Sequence, residues 1–146
     1  MKVIVVNPHA KQLRKNERIR SQIRELFGKV AHIIDVHGRE NVIDQLTELD
    51  RADLPIESIY VVGGDGTFNA ILNWIVELPA VRRPGLISVG GGEFCFLTTF
   101  HGLMSKDPVK NLRRIFNGQI RLVTKLWQPI RAVDSLSGQS RHAALV

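Results

Sequence analysis

The chain has 146 residues, enough for one domain with a buried core. Its 44% hydrophobic and 23% charged content are typical of a soluble globular protein, and we expect neither a signal peptide nor a membrane span. The net charge of +6 favours anionic partners such as nucleotides, acidic lipid surfaces or nucleic acid. The single cysteine, Cys95, excludes an internal disulfide, so the cytoplasm is the expected compartment.

Strand-like and helix-like patterns alternate along the chain. Runs of β-branched residues predict buried strands at 2–7, 29–36, 58–65 and 85–92. Apolar residues at helical spacing predict helices at 14–27, 39–50, 67–78, 93–100 and 107–118. Asp107 is expected to cap the last helix, and Gly118 to end it. This alternation predicts an α/β domain, with a parallel sheet covered by helices on both faces.

Three of the predicted strands end in polar or glycine-rich residues, in the stretches NPHAK, GGDGT and GGGEF. Ligands of parallel sheets bind at the carboxyl ends of the strands, so we expect these stretches at one ligand-binding edge. After residue 118 the pattern changes to strand-like stretches with a Ser/Gly turn, and the chain ends on the apolar run RHAALV. We therefore expect the chain to be the front part of a longer protein.

The stretch GGDGT combines three glycines with one carboxylate between a predicted strand and a predicted helix. Gly63, Gly64 and Gly66 permit a tight turn and leave backbone N–H groups uncovered. The helix that follows directs its unpaired N–H groups to the same place, which predicts a phosphate-binding loop. Asp65 would repel phosphate, so its expected role is to hold a magnesium ion or to accept a proton from an attacking hydroxyl. Thr67 is expected to cap the helix or to donate to a phosphate oxygen.

An ordinary glycine-rich turn, with Asp65 as the helix cap, is the structural alternative. The stretch lacks the Lys-Ser/Thr ending of a Walker P-loop, and its glycines do not fit the dinucleotide-binding fingerprint. The histidines show no metal-ligand spacing. His9 and His37 follow predicted strand ends, where each could contact a ligand or be an ordinary loop residue, and His32 is predicted to be packed within a strand. Packing roles are also predicted for Cys95, Trp74 and Trp127.

The basic segment KQLRKNERIRSQIRELFGK has an apolar stripe and is predicted to form an amphipathic helix with a solvated basic face. A membrane-binding patch is the alternative. No aromatic residues interleave with the basic ones, and no recognition-helix spacing occurs, so we do not expect nucleic acid as a partner.

The stretch VVGGDGTFNAILNWI is similar to the nucleotide-binding signature of the diacylglycerol kinase catalytic domain superfamily, which includes bacterial lipid kinases and sphingosine kinases. VIVVNPHAK is similar to the opening strand and Asn-Pro turn of that family, and SVGGGEF occupies the place of its second glycine-rich loop. The resemblance covers nearly the whole chain. It implies a three-layer α/β nucleotide-binding domain at residues 1–125, and a linker with the truncated start of a second, β-rich domain at 126–146.

The resemblance implies an ATP-dependent lipid kinase at an anionic membrane surface. Such an enzyme would transfer the γ-phosphoryl group of Mg-ATP to a diacylglycerol-like or sphingoid hydroxyl, with Asp65 as the catalytic base or magnesium ligand. The residues expected to contact the nucleotide are Asn7, Pro8, His9, Lys11, Gly63, Gly64, Gly66, Thr67, Asn69, Gly90, Gly91 and Gly92. The acceptor lipid stays open, as does the formation of a homo-oligomer.

The chain departs from the family pattern at three places. A glycine usually follows the Asn-Pro turn, where this chain has Ala10 and Lys11. A glutamate usually stands at the position of Ala70, and Gly-Thr-Gly-Asn-Asp usually stands where this chain has Gly-Gly-Gly-Glu-Phe at 90–94. One alternative is therefore a non-catalytic relative that binds nucleotide or lipid. Another is an NAD kinase-like enzyme, because VGGGEFCFLT is similar to a loop of that family, although Gly90 and Cys95 differ from its pattern.

Overall fold

The computed structural model describes residues 1–92, 105–120, 130–133 and 140–143. A parallel sheet is formed by β1 (Lys2–Val6), β2 (His32–Asp35), β3 (Ser58–Gly63) and β4 (Gly85–Gly91). The helices are α1 (Lys11–Lys15), α2 (Arg18–Phe27), α3 (Arg39–Arg51), α4 (Asp65–Glu77) and α5 (Pro108–Phe116), and a short 3-10 helix spans Ala80–Arg82. An antiparallel pair consists of β5 (Ile130–Val133) and β6 (Ser140–Ala143).

The parallel sheet has the strand order β2-β1-β3-β4. The chain moves from β1 to one side to form β2, and it then crosses β1 to form β3 and β4 on the other side. The winding therefore reverses between β1 and β3, and a crevice for ligands is expected outside the carboxyl ends of these two strands. The predicted α/β fold with a parallel sheet is confirmed.

The β-branched strands are buried on both faces of the sheet, because each face is covered by helices. Val3 and Val5 of β1 pack with α3 and α4 in one cluster of buried residues. Ile4 and Val6 pack with α1, α2 and α5 in the other cluster. Each fully buried side chain of this size stabilises the fold by about 1.5–3 kcal/mol relative to an exposed one. Because successive side chains of β1 point to opposite faces of the sheet, this strand stabilises the packing of both helical layers.

Several element boundaries differ from the sequence expectation. The predicted helix 14–27 is wrong as one element, because it is divided at Asn16 into α1 and α2. The backbone of Asn16 leaves the helical conformation (φ −143°), and its side-chain oxygen accepts a hydrogen bond from Arg18 N at 3.2 Å. Helix α4 begins at Asp65 rather than at Thr67, with Gly64 as its N-cap. The second strand is shorter than predicted and consists of four residues.

Other local predictions have mixed outcomes. Asp107 caps α5 as predicted: its carboxylate accepts from Val109 N at 2.9 Å, and Gly118 follows α5 with φ +70°. Trp74 is buried and donates to Thr47 Oγ1 at 3.1 Å. The prediction that His32 is packed is wrong, because this first residue of the edge strand β2 is exposed.

Some predictions lie outside the described residues: the helix at 93–100, Cys95, Trp127 and residues 135–139 of the turn predicted at 135–140. The strand-like stretches predicted after residue 118 include β5 and β6, and the domain boundary near residue 125 stays a prediction. In the described part of the chain, no helix combines the length and apolar character needed to cross a membrane.

A buried carboxylate at the end of β2 ties this edge strand to α2. Asp35 accepts hydrogen bonds from Arg20 Nε at 3.1 Å and from Arg20 Nη2 at 2.8 Å, and Arg24 pairs with the same carboxylate. The two arginines are one helical turn apart, so both reach Asp35 from one face of α2. Burial raises the pKa of Asp35, but the hydrogen bonds and charges of the two guanidinium groups outweigh burial, and the pKa is lowered overall.

We predict that Asp35→Asn lowers the free energy of unfolding by about 1–2 kcal/mol at pH 7, because charge-assisted hydrogen bonds are lost while the arginines stay partly solvated. The pKa of Asp35 is lower in the folded state than its unfolded-state value of about 3.9. The ion pairs of Asp35 therefore stabilise the fold fully above about pH 3.9, and this stabilisation is lost as the pH falls through the folded-state pKa. The free energies of unfolding of the two proteins, measured by denaturant titration, should therefore become equal in acid. The exposed Asp44→Asn serves as the control, and a difference that persists unchanged at pH 2 would contradict this account.

Candidate functional site

A cavity of about 540 Å³ opens at the carboxyl ends of the sheet strands. Its position coincides with the expected crevice, since it is bounded by the turn after β1, the turn after β2 and the start of α4. Its wall is formed by Asn7, His9, Ala10, Lys11, Val36, His37, Gly38, Val42, Gly64, Gly66, Thr67, Ala70 and Gly92. The polar ends of β1, β3 and β4 therefore meet at one edge, as the sequence predicts.

Asn7 connects the first strand to the glycine-rich turn. Its backbone N–H donates to Val62 O at 2.9 Å, which extends the pairing of β1 with β3 by one residue. Its side-chain oxygen accepts from His9 N at 2.9 Å and shapes the turn that leads to α1. Its Nδ2 donates to Thr67 Oγ1 at 2.9 Å, in the first turn of α4. One side chain thus fixes both loops that form the floor of the cavity.

The first turn of α4 has backbone N–H groups that find no acceptor within the helix. Gly64 is the N-cap, and the helix has no side-chain cap at this end. The first helical hydrogen bond runs from Phe68 N to Gly64 O at 3.2 Å, so the N–H groups of Asp65, Gly66 and Thr67 have no acceptor within the helix. A Cβ atom at Gly66 would meet nothing within 4 Å. The backbone here is open to a ligand, and the helix dipole favours an anion.

The glycines of β4 bring a second loop against the first. Val61 pairs with Ser88, but Val62 pairs with Gly90, so one extra residue is inserted in β4. Gly90 and Gly91 then adopt φ values of +106° and +113°, which L side chains rarely tolerate. A Cβ atom at Gly91 would lie 3.2 Å from Gly63 N and 3.1 Å from Leu13 Cδ1. Position 91 therefore requires glycine, both because its φ is positive and because a side chain would collide with neighbouring atoms.

Asp65 is the first residue of α4, and its Oδ1 is buried without a hydrogen-bond partner among the described residues. Its side chain does not form part of the cavity wall as the described residues define it. A buried, unpaired carboxylate oxygen is costly, and it would be satisfied by a bound cation or by the hydroxyl of a ligand. No group of three acidic, histidine or cysteine side chains that could hold a metal occurs in the described ranges. Asp65 therefore fits magnesium as one protein ligand among phosphate and water oxygens.

The cavity wall has a cationic and an apolar part. Lys11 contributes a positive charge, His9 and His37 contribute exposed imidazoles, and no carboxylate belongs to the described wall. The apolar part consists of Ala10, Val36, Val42 and Ala70. Sequence reasoning assigned no site role to the two valines, because their apolar character is equally typical of core positions.

The predicted nucleotide-contacting residues fall into two groups. Those that line the cavity are Asn7, His9, Lys11, Gly64, Gly66, Thr67 and Gly92. Those outside the wall are Pro8 in the turn after β1, Asn69 on α4, and Gly63, Gly90 and Gly91 at the ends of β3 and β4. Their contacts with a nucleotide stay predictions. Thr67 is not the helix cap, since Gly64 has that place, and Asp65 is the first helical residue rather than the cap.

The fold and the site together define an α/β domain with a cleft at the point where the sheet winding reverses, lined by the first turn of α4. A model of the family described as "Diacylglycerol kinase catalytic domain" matches residues 2–126. The chain belongs to this family, which is a family of lipid kinases. No curated protein matches the chain.

Three solved structures from Bacillus anthracis strain Sterne have a similar fold. They are described as diacylglycerol kinases, and in two of the three descriptions this assignment is provisional. One is 20% identical with a TM-score of 0.64, and the match covers 95% of this chain and 46% of that one. The others are 23% and 22% identical, both with a TM-score of 0.61; they cover 80% of this chain and 42% and 43% of theirs. This chain thus spans less than half the length of each.

Proposed function

We propose that this chain is the nucleotide-binding part of an ATP-dependent lipid kinase, which transfers the γ-phosphoryl group of Mg-ATP to a diacylglycerol-like or sphingoid hydroxyl. The observation that carries the proposal is the open first turn of α4: Gly64, Gly66 and Thr67 line the cavity, and the N–H groups of Asp65, Gly66 and Thr67 have no acceptor within the helix. Family membership supports the reaction class.

Phosphoryl transfer requires mainly that the protein position the phosphates and stabilise their charge. In this proposal the N–H groups of α4 hold phosphate oxygens, and Lys11 adds positive charge at the same wall. Thr67 Oγ1 already accepts a hydrogen bond from Asn7, so its own proton can be donated to a phosphate oxygen. The apolar wall of Val36 and Val42 suits the flat base of the nucleotide.

Asp65 is the proposed magnesium ligand or catalytic base. Its buried Oδ1, which has no hydrogen-bond partner among the described residues, can hold a magnesium ion or accept the proton of the attacking lipid hydroxyl. Magnesium, when bound, would neutralise the charge that develops on the phosphate oxygens. Asp65 is the first residue of α4, so its carboxylate lies within the field of the helix dipole, which supports a role next to the proposed phosphate site.

A non-catalytic nucleotide- or lipid-binding relative is the second candidate function. Ala70 lines the cavity with a methyl group, and Gly92, the part of the second glycine loop that the structure describes at the wall, brings only backbone to it. These positions can shape a binding cleft, but they supply no group that moves a proton. The lipid kinase would transfer phosphate from ATP to a lipid, whereas the non-catalytic relative would bind its ligand without turnover.

We predict that Asp65→Asn lowers turnover by about 10²–10⁴-fold, because the amide can neither accept the proton nor hold magnesium as a carboxylate does. The native-length protein is incubated with γ-labelled Mg-ATP, a mixed lipid extract and NAD, and the labelled product is identified. Label in the lipid phase that is lost in the variant supports the lipid kinase. Label in NADP would favour an NAD kinase-like enzyme, and label that stays in ATP would favour the non-catalytic relative.

We predict that Gly66→Ala weakens Mg-ATP binding at least tenfold while the melting temperature stays equal or rises. The new methyl group finds open space in the protein and favours the helix by roughly 0.5–1 kcal/mol, but it stands where phosphate would approach the backbone. The matched control is Gly85→Ala, at the start of β4, where a Cβ atom makes ordinary contacts of 3.7 and 3.9 Å. Unchanged affinity in Gly66→Ala, measured by calorimetry, would remove the proposed phosphate site.

We further propose that the domain contacts an anionic membrane with the face formed by α1, α2 and α5, here called the basic face. These helices and their flanking residues carry exposed Arg14, Lys15, Arg18, Lys29, Lys106, Lys110 and Arg113, against exposed Glu17, Glu25 and Asp107. The opposite helices α3 and α4, with their flanking residues, carry exposed Asp44, Glu48, Asp53, Glu57 and Glu77 against exposed Arg51, Arg82 and Arg83. Each Lys or Arg near an anionic leaflet contributes about 1 kcal/mol to binding.

Removal of three charges by Lys15→Gln, Lys110→Gln and Arg113→Gln should therefore weaken binding to vesicles that contain phosphatidylglycerol by roughly 100-fold. Sedimentation with these vesicles, and with phosphatidylcholine vesicles, measures the effect. The control is Asn41→Asp with Arg51→Glu on α3, which changes the net charge equally. An equal loss in the control would show that net charge alone matters, and equal binding to both vesicle types would refute the basic face.

A further inference from the structure

A buried asparagine on α5 reaches the strand that ends in the second glycine loop. Asn111 is fully buried, and its Nδ2 donates to Val89 O and to Ser105 O, each at 2.8 Å. Both partners are carbonyl oxygens that can only accept, so the orientation of the amide is fixed by them. One amide group thereby joins β4, α5 and the residues that precede α5.

The other end of this side chain is unusual. Asn111 Oδ1 is buried and has no hydrogen-bond partner in the described part of the chain. Burial of an unpaired carbonyl oxygen is unfavourable, and the neighbouring Val109, Leu112 and Ile115 show that this face of α5 otherwise packs with apolar side chains. The two bonds of Nδ2 therefore explain the asparagine better than packing does.

Val89 is the residue that the bulge adds to β4, because its neighbours Ser88 and Gly90 pair with consecutive residues of β3. The hydrogen bond from Asn111 holds its carbonyl. Two residues later, Gly91 pairs with Gly63, and a Cβ atom on Gly91 would lie only 3.2 Å from Gly63 N. Gly92 Cα lies 3.9 Å from the position of a Cβ atom on Gly64. The bulge thus sets where the second glycine loop meets the turn before α4.

We infer that Asn111 is a positioning residue for the cleft: by holding the bulge at Val89, it places Gly91 and Gly92 against the Gly63–Gly64 turn. The inference rests on the proposed function where it concerns the nucleotide. Asn111 itself does not line the cavity, so it acts through the backbone of β4 and not by contact with a ligand.

The test compares Asn111→Leu, which removes the amide and keeps an apolar side chain of similar size, with Leu112→Ala on the same helix. Leu112 is also fully buried but belongs to the core beside the sheet. For each variant we would measure the melting temperature, the affinity for Mg-ATP, and hydrogen–deuterium exchange of peptides that cover residues 61–66 and 86–92.

We expect Asn111→Leu to weaken Mg-ATP binding about tenfold and to speed exchange in both peptides. Leu112→Ala should lower the melting temperature at least as much and leave the affinity and these two peptides unchanged. Equal effects in both variants, or normal exchange in Asn111→Leu, would overturn the inference. Absence of Mg-ATP binding in the unaltered chain would refute the proposed function, while the exchange data would still decide the role of Asn111. If the leucine variant does not fold, Asn111→Ser, which keeps one donor, should give an intermediate effect.

Discussion

Gly63 has no side chain, and for that reason Asn7 and Thr67 can meet beside it. A Cβ atom at Gly63 would lie 3.2 Å from Thr67 Oγ1 and 3.3 Å from Asn7 Cβ, so it would push apart the two residues that the 2.9 Å hydrogen bond joins. The turn after β1 and the start of α4 would then lose their common attachment. The cavity depends on this close approach, because its floor consists of these two loops.

The same constraint recurs one strand further along the sheet. Gly91 must be glycine because its backbone has a positive φ and approaches Gly63 closely. Glycine lowers stability through the entropy of the unfolded chain, so a fold that gathers glycines at one edge must recover stability elsewhere. Here the recovery comes from two packed layers and from the Asp35 ion pairs on the far strand.

Much of this arrangement could be predicted from the sequence, because its signals are local. The run KVIVV, the spacing of apolar residues in α3 and the Asp107-Pro108 start of α5 depend on residues close in the chain. The exposure of His32 could not be predicted, because it depends on β2 being an edge strand. The break at Asn16 had a weak local signal, since asparagine competes for backbone hydrogen bonds. Asn111 also had one: it is a polar residue within the apolar stripe of α5.

The unequal charge of the two helical layers has a consequence before any contact is made. With cations in excess on α1, α2 and α5 and anions in excess on α3 and α4, the domain carries an electric dipole directed across the sheet. A negatively charged surface exerts a torque on such a dipole within about one Debye length, roughly 8 Å at physiological ionic strength. If the domain binds such a surface, the dipole would turn the layer of α1, α2 and α5 toward that surface before any residue makes contact.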